Sequence, residues 1–236
     1  MKILIISDVH ANRHALEVVL NKEAYDALNF LGDAVDFGPD PKGCVRFLID
    51  SSKKRFWGVR VDHDHAMAYG MNSECGDELN YLSRVTRDWG EGFLVSEEVG
   101  FLRRLPVSSG FTIDGMDFEL THSAAPNTLN PCRCEYESEQ IDQMSALRKK
   151  FKLTGHSHKP FITKFGATTV LNPGSVGQPR DLDPRASYAV IEDGEASIWR
   201  VSYDIEKTVH DLERSALPYE VKGRLTSMLL SGAVSN

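Results

Sequence analysis

Apolar residues at the start of the chain run without a polar break. KILIIS is rich in β-branched residues and predicts a strand buried on both faces. NRHALEVVLNK follows, with Ala15, Leu16, Val18, Val19 and Leu20 on an amphipathic helix and Asn12 as its N-cap. ALNFL is a second short strand and leads into the turn-rich GDAVDFGPDPKG. CVRFLIDS predicts a helix, RFWGVRV a third strand, and residues 63 to 105 a mostly helical stretch ending near Pro106. Strand and helix alternate through this part, which favours parallel βαβ units.

The pattern then changes. Short strand-like segments near 108–113, 116–121, 151–154, 160–165, 168–171, 187–192 and 195–202 are separated by DG, PG and EDG turn signals. From about residue 204 the period is helical again. Ile205, Val209 and Leu212 share one face, and this face and RLTSMLL are expected to pack back on the sheet. No repeat or Gly/Pro/Ser-rich linker interrupts the chain. The expected fold is α/β: a single domain over 1–236, with two facing mixed β-sheets flanked by helices and a helical tail. Polar chemistry belongs at the strand ends, where loops gather.

Composition refines this picture. The chain has 236 residues, enough for a substantial core, with 41% hydrophobic and 26% charged residues, as in ordinary globular domains. No run approaches the roughly 20 apolar residues of a membrane span, and the N-terminus lacks a signal-peptide pattern, so a cytoplasmic protein is expected. A net charge of −7 argues against tight nucleic-acid binding, which needs clustered Lys and Arg. It leaves nucleotide substrates open, because bound metal can supply local positive charge. Cys44, Cys75, Cys132 and Cys134 are scattered apart from the Cys-x-Cys pair and imply neither a disulfide framework nor a structural zinc site.

Acidic and histidine residues recur just after the predicted strands: Asp8-Val9-His10, Gly32-Asp33, Asp62-His63-Asp64, His122, and Gly155-His156-Ser157-His158. In extended backbone, residues i and i+2 point to one side, so Asp8 and His10 are expected to face one point, as are His156 and His158. Carboxylate and imidazole donors suit Mn, Fe, Ni or Zn, and one carboxylate can bridge two ions. A single such residue is commonly structural. Five clusters, each at a strand end, point to a metal centre.

In order and spacing these motifs resemble the calcineurin-like metallophosphoesterase superfamily. GDAVDFGPDP, LNPGSVGQPRDLDPRASYAVIE and the tail from YDIE through LPYE resemble its small prokaryotic branch, which includes the YfcE-type phosphodiesterases. The resemblance implies a four-layer α-β-β-α sandwich and a phosphoesterase, most naturally a phosphodiesterase. In such enzymes a hydroxide shared by two divalent ions attacks phosphorus in line. Asp8, His10 and His158 would hold one ion, and Asp62, His122 and His156 the other, with Asp33 bridging. Manganese is the first choice, with Fe, Ni or Zn suited to the same donors. His63 would serve the leaving group, and Asp64 would orient its ring. Asn12 and Arg180 would approach the phosphate. The substrate would be a small phosphoester or nucleotide, and a symmetric homodimer is compatible with a domain of this kind. AAPNTLNPCRCEYES, just after His122, is expected to cover the site.

One motif departs from the family. Where the family has Gly-Asn-His followed by Asp or Glu, this chain has Val61-Asp62-His63-Asp64. Two divalent ions carry four positive charges. Asp8, Asp33 and Asp62 offset three, and a bridging hydroxide offsets the fourth. An asparagine in place of Asp62 would leave one positive charge over. Val61 raises a second question, since a β-branched residue resists backbone angles open to glycine. The alternative to an enzyme is therefore a weakly active or inactive member of the fold that serves as an interaction scaffold.

Overall fold

The computed structural model describes residues 1–71, 77–123 and 149–234. Cys75, Cys132, Cys134 and the stretch expected to cover the site lie outside them.

Two five-stranded sheets face each other between helices. The first has the order β10 (Glu195–Val201), β9 (Ala186–Glu192), β1 (Lys2–Ile6), β2 (Ala27–Phe30), β3 (Phe56–Gly58). Its β1, β2 and β3 are parallel, and β9 and β10 are added antiparallel. The helices α1 (Arg13–Lys22) and α2 (Pro41–Ser51) make the right-sized crossovers between its parallel strands. The second sheet has the order β4 (Ser109–Ile113), β5 (Met116–Leu120), β6 (Phe151–Leu153), β8 (Thr168–Asn172), β7 (Phe161–Phe165). There β5, β6 and β8 are parallel.

β1 shows why the opening run is wholly apolar. Its Ile3 and Ile5 pack between the sheets with Phe118, Leu120, Phe151, Leu153 and Leu171. Leu4 and Ile6 point the other way, onto Leu16 and Val19 of α1 and Val45 and Leu48 of α2. Full burial of each such side chain is worth about 1.5–3 kcal/mol. The two-residue turns are equally direct. Asp114 (φ 48°) with Gly115 (φ 72°), and Asp193 (φ 52°) with Gly194 (φ 82°), have the left-handed pairs that tight hairpins require. They set the registers Ile113 to Met116 and Glu192 to Glu195.

Between β3 and β4 lie α3 (Asp62–Tyr69), α4 (Asp77–Glu91) and α5 (Ser96–Arg104). The tail forms α6 (Ile205–Arg214) and α7 (Tyr219–Ser231). Contrary to expectation, the apolar faces of these two tail helices do not pack on a sheet. Val209, Leu212, Val221, Leu225, Met228 and Leu229 instead form a third cluster with Leu82 of α4 and Phe37, a loop residue after β2. The sheet faces are already filled by the crossover helices and by each other. Among the described residues, no helix is long and apolar enough to cross a membrane.

Candidate metal centre

The chemistry-bearing residues meet at the carboxyl ends of parallel strands. Asp8 and His10 follow β1, Asp33 and Asp36 follow β2, and Asp62 and His63 open α3 after β3. His122 follows β5, and His156 and His158 follow β6. The loops after β1 and β2 are joined by Asp8 N–H to Gly32 O (3.0 Å), His10 N–H to Asp33 O (2.9 Å) and Ala11 N–H to Ala34 O (2.9 Å). The GSVG segment braces them. Val176 and Gly177 donate to the carbonyls of Ser7 and Asp8, and a Cβ on Gly177 would lie 1.8 Å from Val9 O. Gly155 is equally confined, since its Cβ would lie 2.0 Å from Ser7 Oγ and 3.0 Å from Asp8 Oδ2.

Backbone geometry corrects the extended-strand argument. Asp8, His10, Asp33, His156 and His158 have φ of 52°, 45°, 60°, 67° and 57°. All five are left-handed, a conformation that costs a non-glycine residue roughly 1–2 kcal/mol. The side chains of Asp8 and His10 do converge, but through tight left-handed turns after the strand has ended at Ile6. Strain of this kind persists only where the surroundings over-determine it, and it concentrates at functional sites.

Three imidazoles share one arrangement. The Nδ1 atoms of His10, His122 and His158 lie 3.0, 2.8 and 2.5 Å from the carbonyl oxygens of Val35, Leu31 and Gln178. A carbonyl only accepts, so Nδ1 carries a proton in each ring, and in His10 and His158, where burial disfavours a second proton, Nε2 presents a lone pair. Yet His10 Nε2 and His158 Nε2 lie only 3.2 Å apart. His158 Nε2 is also 3.3 Å from Asp8 Oδ1, and His122 Nε2 is 3.0 Å from Asp33 Oδ2. Acceptors crowded together in a buried site repel one another. Among the described residues, Asp8 Oδ2 and Asp33 Oδ1 are buried with no hydrogen-bond partner. A cation among these atoms would satisfy them all.

The donors sort into ion-sized groups: Asp8 with His10 and His158, and Asp62 with His122 and His156. A third group, Asp8 with Asp33 and His122, spans the two. Asp33 Oδ2 faces both sides, at 3.0 Å from His122 Nε2 and 3.9 Å from His10 Nε2. The hydrogen bonds from ring Nδ1 to carbonyl fix tautomer and orientation, as is common behind metal-binding histidines. This donor set fits a pair of divalent ions.

The protein groups contest their protons. Burial raises Asp8 to about 6, against the pull of His122. Burial lowers His10 to about 3 and places His158 well below the usual imidazole range. Burial also opposes protonation of His122, but Asp33, Asp8 and Asp62 outweigh it and raise the ring to about 10.

The structure alters other expectations. His63 Nδ1 lies 2.7 Å from Asp36 Oδ2, so Asp36 holds this ring. The role expected of Asp64 falls to Asp36 because Asp64 is engaged elsewhere. Its two oxygens accept from Asp33 N–H (2.9 Å) and Ala34 N–H (2.8 Å), fixing the turn that carries Asp33. Burial pushes the Asp64 carboxyl well above the usual range. Asp36 sits three residues after Asp33 in a turn-forming sequence, and turn chemistry accounted for it well enough to hide its role.

Asn12, expected to approach the phosphate, is engaged within the fold. Its Nδ2 donates to Gly177 O (2.9 Å) and Tyr203 Oη (3.0 Å), and its Oδ1 accepts from Ala15 N–H and Thr208 Oγ1. That uses its full hydrogen-bonding capacity, so it ties α1, the GSVG loop and α6 together. Arg180 does lie by the centre. Its guanidinium sits 5.9 Å over the ring of Phe37, which meets His10 and His63 in T-shaped contacts, and Nη2 donates to Gln178 Oε1.

Val61 is accommodated without strain. Its φ of −139° and ψ of −162° are extended, which suits a β-branched residue. It is fully buried, and its methyl group occupies the space that a Cβ on Gly32 would need, 2.3 Å away.

Comparison with known proteins agrees with this geometry. The model of the calcineurin-like phosphoesterase superfamily domain matches residues 1–195. An uncharacterised protein of Methanocaldococcus jannaschii is 30% identical over 244 residues, covering 94% of this chain and 96% of that protein. The crystal structure of a metallophosphoesterase from Sphaerobacter thermophilus is 30% identical and covers 99% of both chains, with a TM-score of 0.78. The E. coli phosphoesterase YfcE shares the fold at 21% identity and a TM-score of 0.52, over 86% of this chain and 100% of its own.

Proposed function

The chain belongs to the calcineurin-like phosphoesterase superfamily, and from that premise we propose that it hydrolyses small phosphodiesters, nucleotides among them, with two divalent ions, manganese first. The observation that carries the reading is the facing pair of His10 and His158 Nε2 atoms at 3.2 Å, each ring tied through Nδ1 to a carbonyl. Such an arrangement has little purpose except to hold a cation.

In this reading Asp8, His10 and His158 hold one ion, Asp62, His122 and His156 hold the other, and Asp33 is shared. Bound there, the ions would supply Lewis-acid charge at phosphorus and acidify a water at neutral pH. His63 directs Nε2 toward the same space, 3.7 Å from Asp62 Oδ2. It would give its proton to the departing ester oxygen, while Asp36 holds Nδ1–H and keeps the ring from turning. Arg180 would orient a non-bridging phosphate oxygen, its plane steadied by Phe37.

The reading treats residues 1–236 as one domain, supported by the packing of α6 and α7 on Phe37 beside the centre. It places the protein in the cytoplasm, consistent with a buried, unbridged Cys44. The test is hydrolysis of bis-p-nitrophenyl phosphate and of p-nitrophenyl phosphate by chelated protein, before and after Mn²⁺ is added. Metal-dependent turnover favouring the diester is expected. Folded protein that turns over neither ester with Mn²⁺, Fe²⁺, Ni²⁺ or Zn²⁺ would instead support the scaffold reading.

A further inference from the structure

Asp36 Oδ2 is a hub for three donors. His63 Nδ1 lies 2.7 Å away, Ser83 Oγ 2.8 Å and Arg87 Nη2 2.7 Å. Ser83 and Arg87 stand one turn apart on α4, and both are buried. Thr86, between them in sequence, accepts Phe37 N–H at 2.9 Å. Arg87 also donates through Nη1 to Met71 O at 3.1 Å, just beyond the end of α3. One face of α4 thus grips the Asp36-Phe37 turn and, through Arg87, the far end of the helix that carries His63.

The grip answers two needs. Asp36 and Phe37 are consecutive left-handed residues, with φ of 64° and 62°, and such a pair needs outside restraint. The last torsion of an aspartate is soft and roughly two-fold, so a single donor would let the carboxylate exchange its oxygens. Three donors on one oxygen fix it. A buried ion pair is a poor way to gain stability, because desolvation offsets much of the attraction. Its value here is geometric, since a guanidinium fork sets direction as well as charge.

We infer that Arg87, assisted by Ser83, is a positioning residue for His63: it locks the Asp36 carboxylate so that the imidazole keeps Nε2 aimed at the departing oxygen. The inference rests on the phosphoesterase reading for its purpose, but not for its geometry.

The test uses the full chain loaded with Mn²⁺ and the variants Arg87→Met, Arg87→Lys and Ser83→Ala. A p-nitrophenolate leaves without protonation, whereas phenolate or an alkoxide needs an acid. Because positioned acids contribute about 10²–10⁴-fold, Arg87→Met should slow p-nitrophenyl diesters about threefold and phenyl or alkyl diesters about 100-fold. Metal content should hold at the wild-type level. Arg87→Lys should recover part of the loss, and Ser83→Ala should show the same skew more weakly. Equal loss on every leaving group, or none on any, would overturn the inference. A second measurement needs no turnover. The ring N–H resonance of His63, recorded with diamagnetic Zn²⁺ in place of Mn²⁺ and assigned by its absence in His63→Gln, should shift and exchange faster with water in Arg87→Lys. An unchanged resonance would overturn the inference. Wild-type protein inert to all esters would remove the phosphoesterase reading, and the resonance would then decide the role of Arg87 alone.

Discussion

Replacing Asp62 with asparagine tests the charge balance of the centre at constant shape. Asp62 is buried in the first turn of α3, with its oxygens 3.7 Å from His63 Nε2 and 3.9 Å from His122 Nε2. Asparagine keeps one oxygen donor and removes one negative charge. A phosphate bound just beyond the ions would sit about 7 Å from this carboxylate, and an effective dielectric of about 20 then gives a repulsion of about 2.4 kcal/mol. That corresponds to a ceiling of about 50-fold in rate. Asp62→Asn should therefore raise kcat/KM for anionic diesters by about 10- to 50-fold in fully metallated protein. The same change should weaken metal retention, because an ion held by Asp62, His122 and His156 would keep only the shared Asp33 as an anionic ligand. The assay pairs steady-state hydrolysis of bis-p-nitrophenyl phosphate with metal content after graded dialysis against chelator. Because the site is buried, salt should change the ratio little. The charge argument fails if kcat/KM is unchanged or lower while both ions are present, or if the Asp62→Asn variant holds metal more tightly than wild type.

Three further outcomes follow from the same geometry. His63→Ala should lose about 10²–10⁴-fold in turnover of esters with poor leaving groups yet retain both ions, and loss of metal would make His63 a ligand instead. Val61→Gly should lower stability by about 2–3 kcal/mol in urea denaturation, because it empties the space beside Gly32 and loosens the chain before α3; stability equal to wild type would show that the valine is not a packing element. Asp183 is held down to about 2 by its hydrogen bonds with Arg185, against an ordinary 3.8. A depressed carboxylate stabilises above its unfolded pKa and loses that contribution as pH falls through the folded one. The stability gap between wild type and Asp183→Asn should thus be constant at neutral pH, shrink below about pH 3.8 and close as pH falls below about 2. A gap that stays constant from about pH 3.8 down to about pH 2 would deny the ion pair this role.

What could be read from the sequence, and what could not, follows from the range of the interactions. Element types were legible because they rest on local periodicity. β1 is apolar at every position since both its faces are covered, and the DG turns are the left-handed pairs that hairpins demand. The set of residues gathered at the strand ends was legible for a related reason: parallel strands place their carboxyl ends on one edge. The backbone that performs the gathering was not. Extended spacing suggested that Asp8 and His10 converge, but both are left-handed and are held by bonds to Gly32 and Asp33, more than twenty residues away.

Roles that depend on a partner were the least legible. Asp64 follows His63 by one residue and invites pairing with it. A helix sends neighbouring side chains about 100° apart, so Asp64 turns to the backbone of Asp33 and Ala34 while His63 finds Asp36 on another loop. Asn12 was legible as a helix cap, but its remaining hydrogen bonds go to Gly177, Tyr203 and Thr208, which no local pattern connects. The same holds for the tail. Its helical period identified an apolar face and left the target open, and the target proved to be Phe37, whose ring touches His10 and His63. Packing on Phe37 joins the tail to the candidate metal centre, beside the hydrogen bond from Thr208 to Asn12. Changes in α6 and α7 that disturb Leu225 or Leu229 should therefore register at His10 and His63 before they register in either sheet.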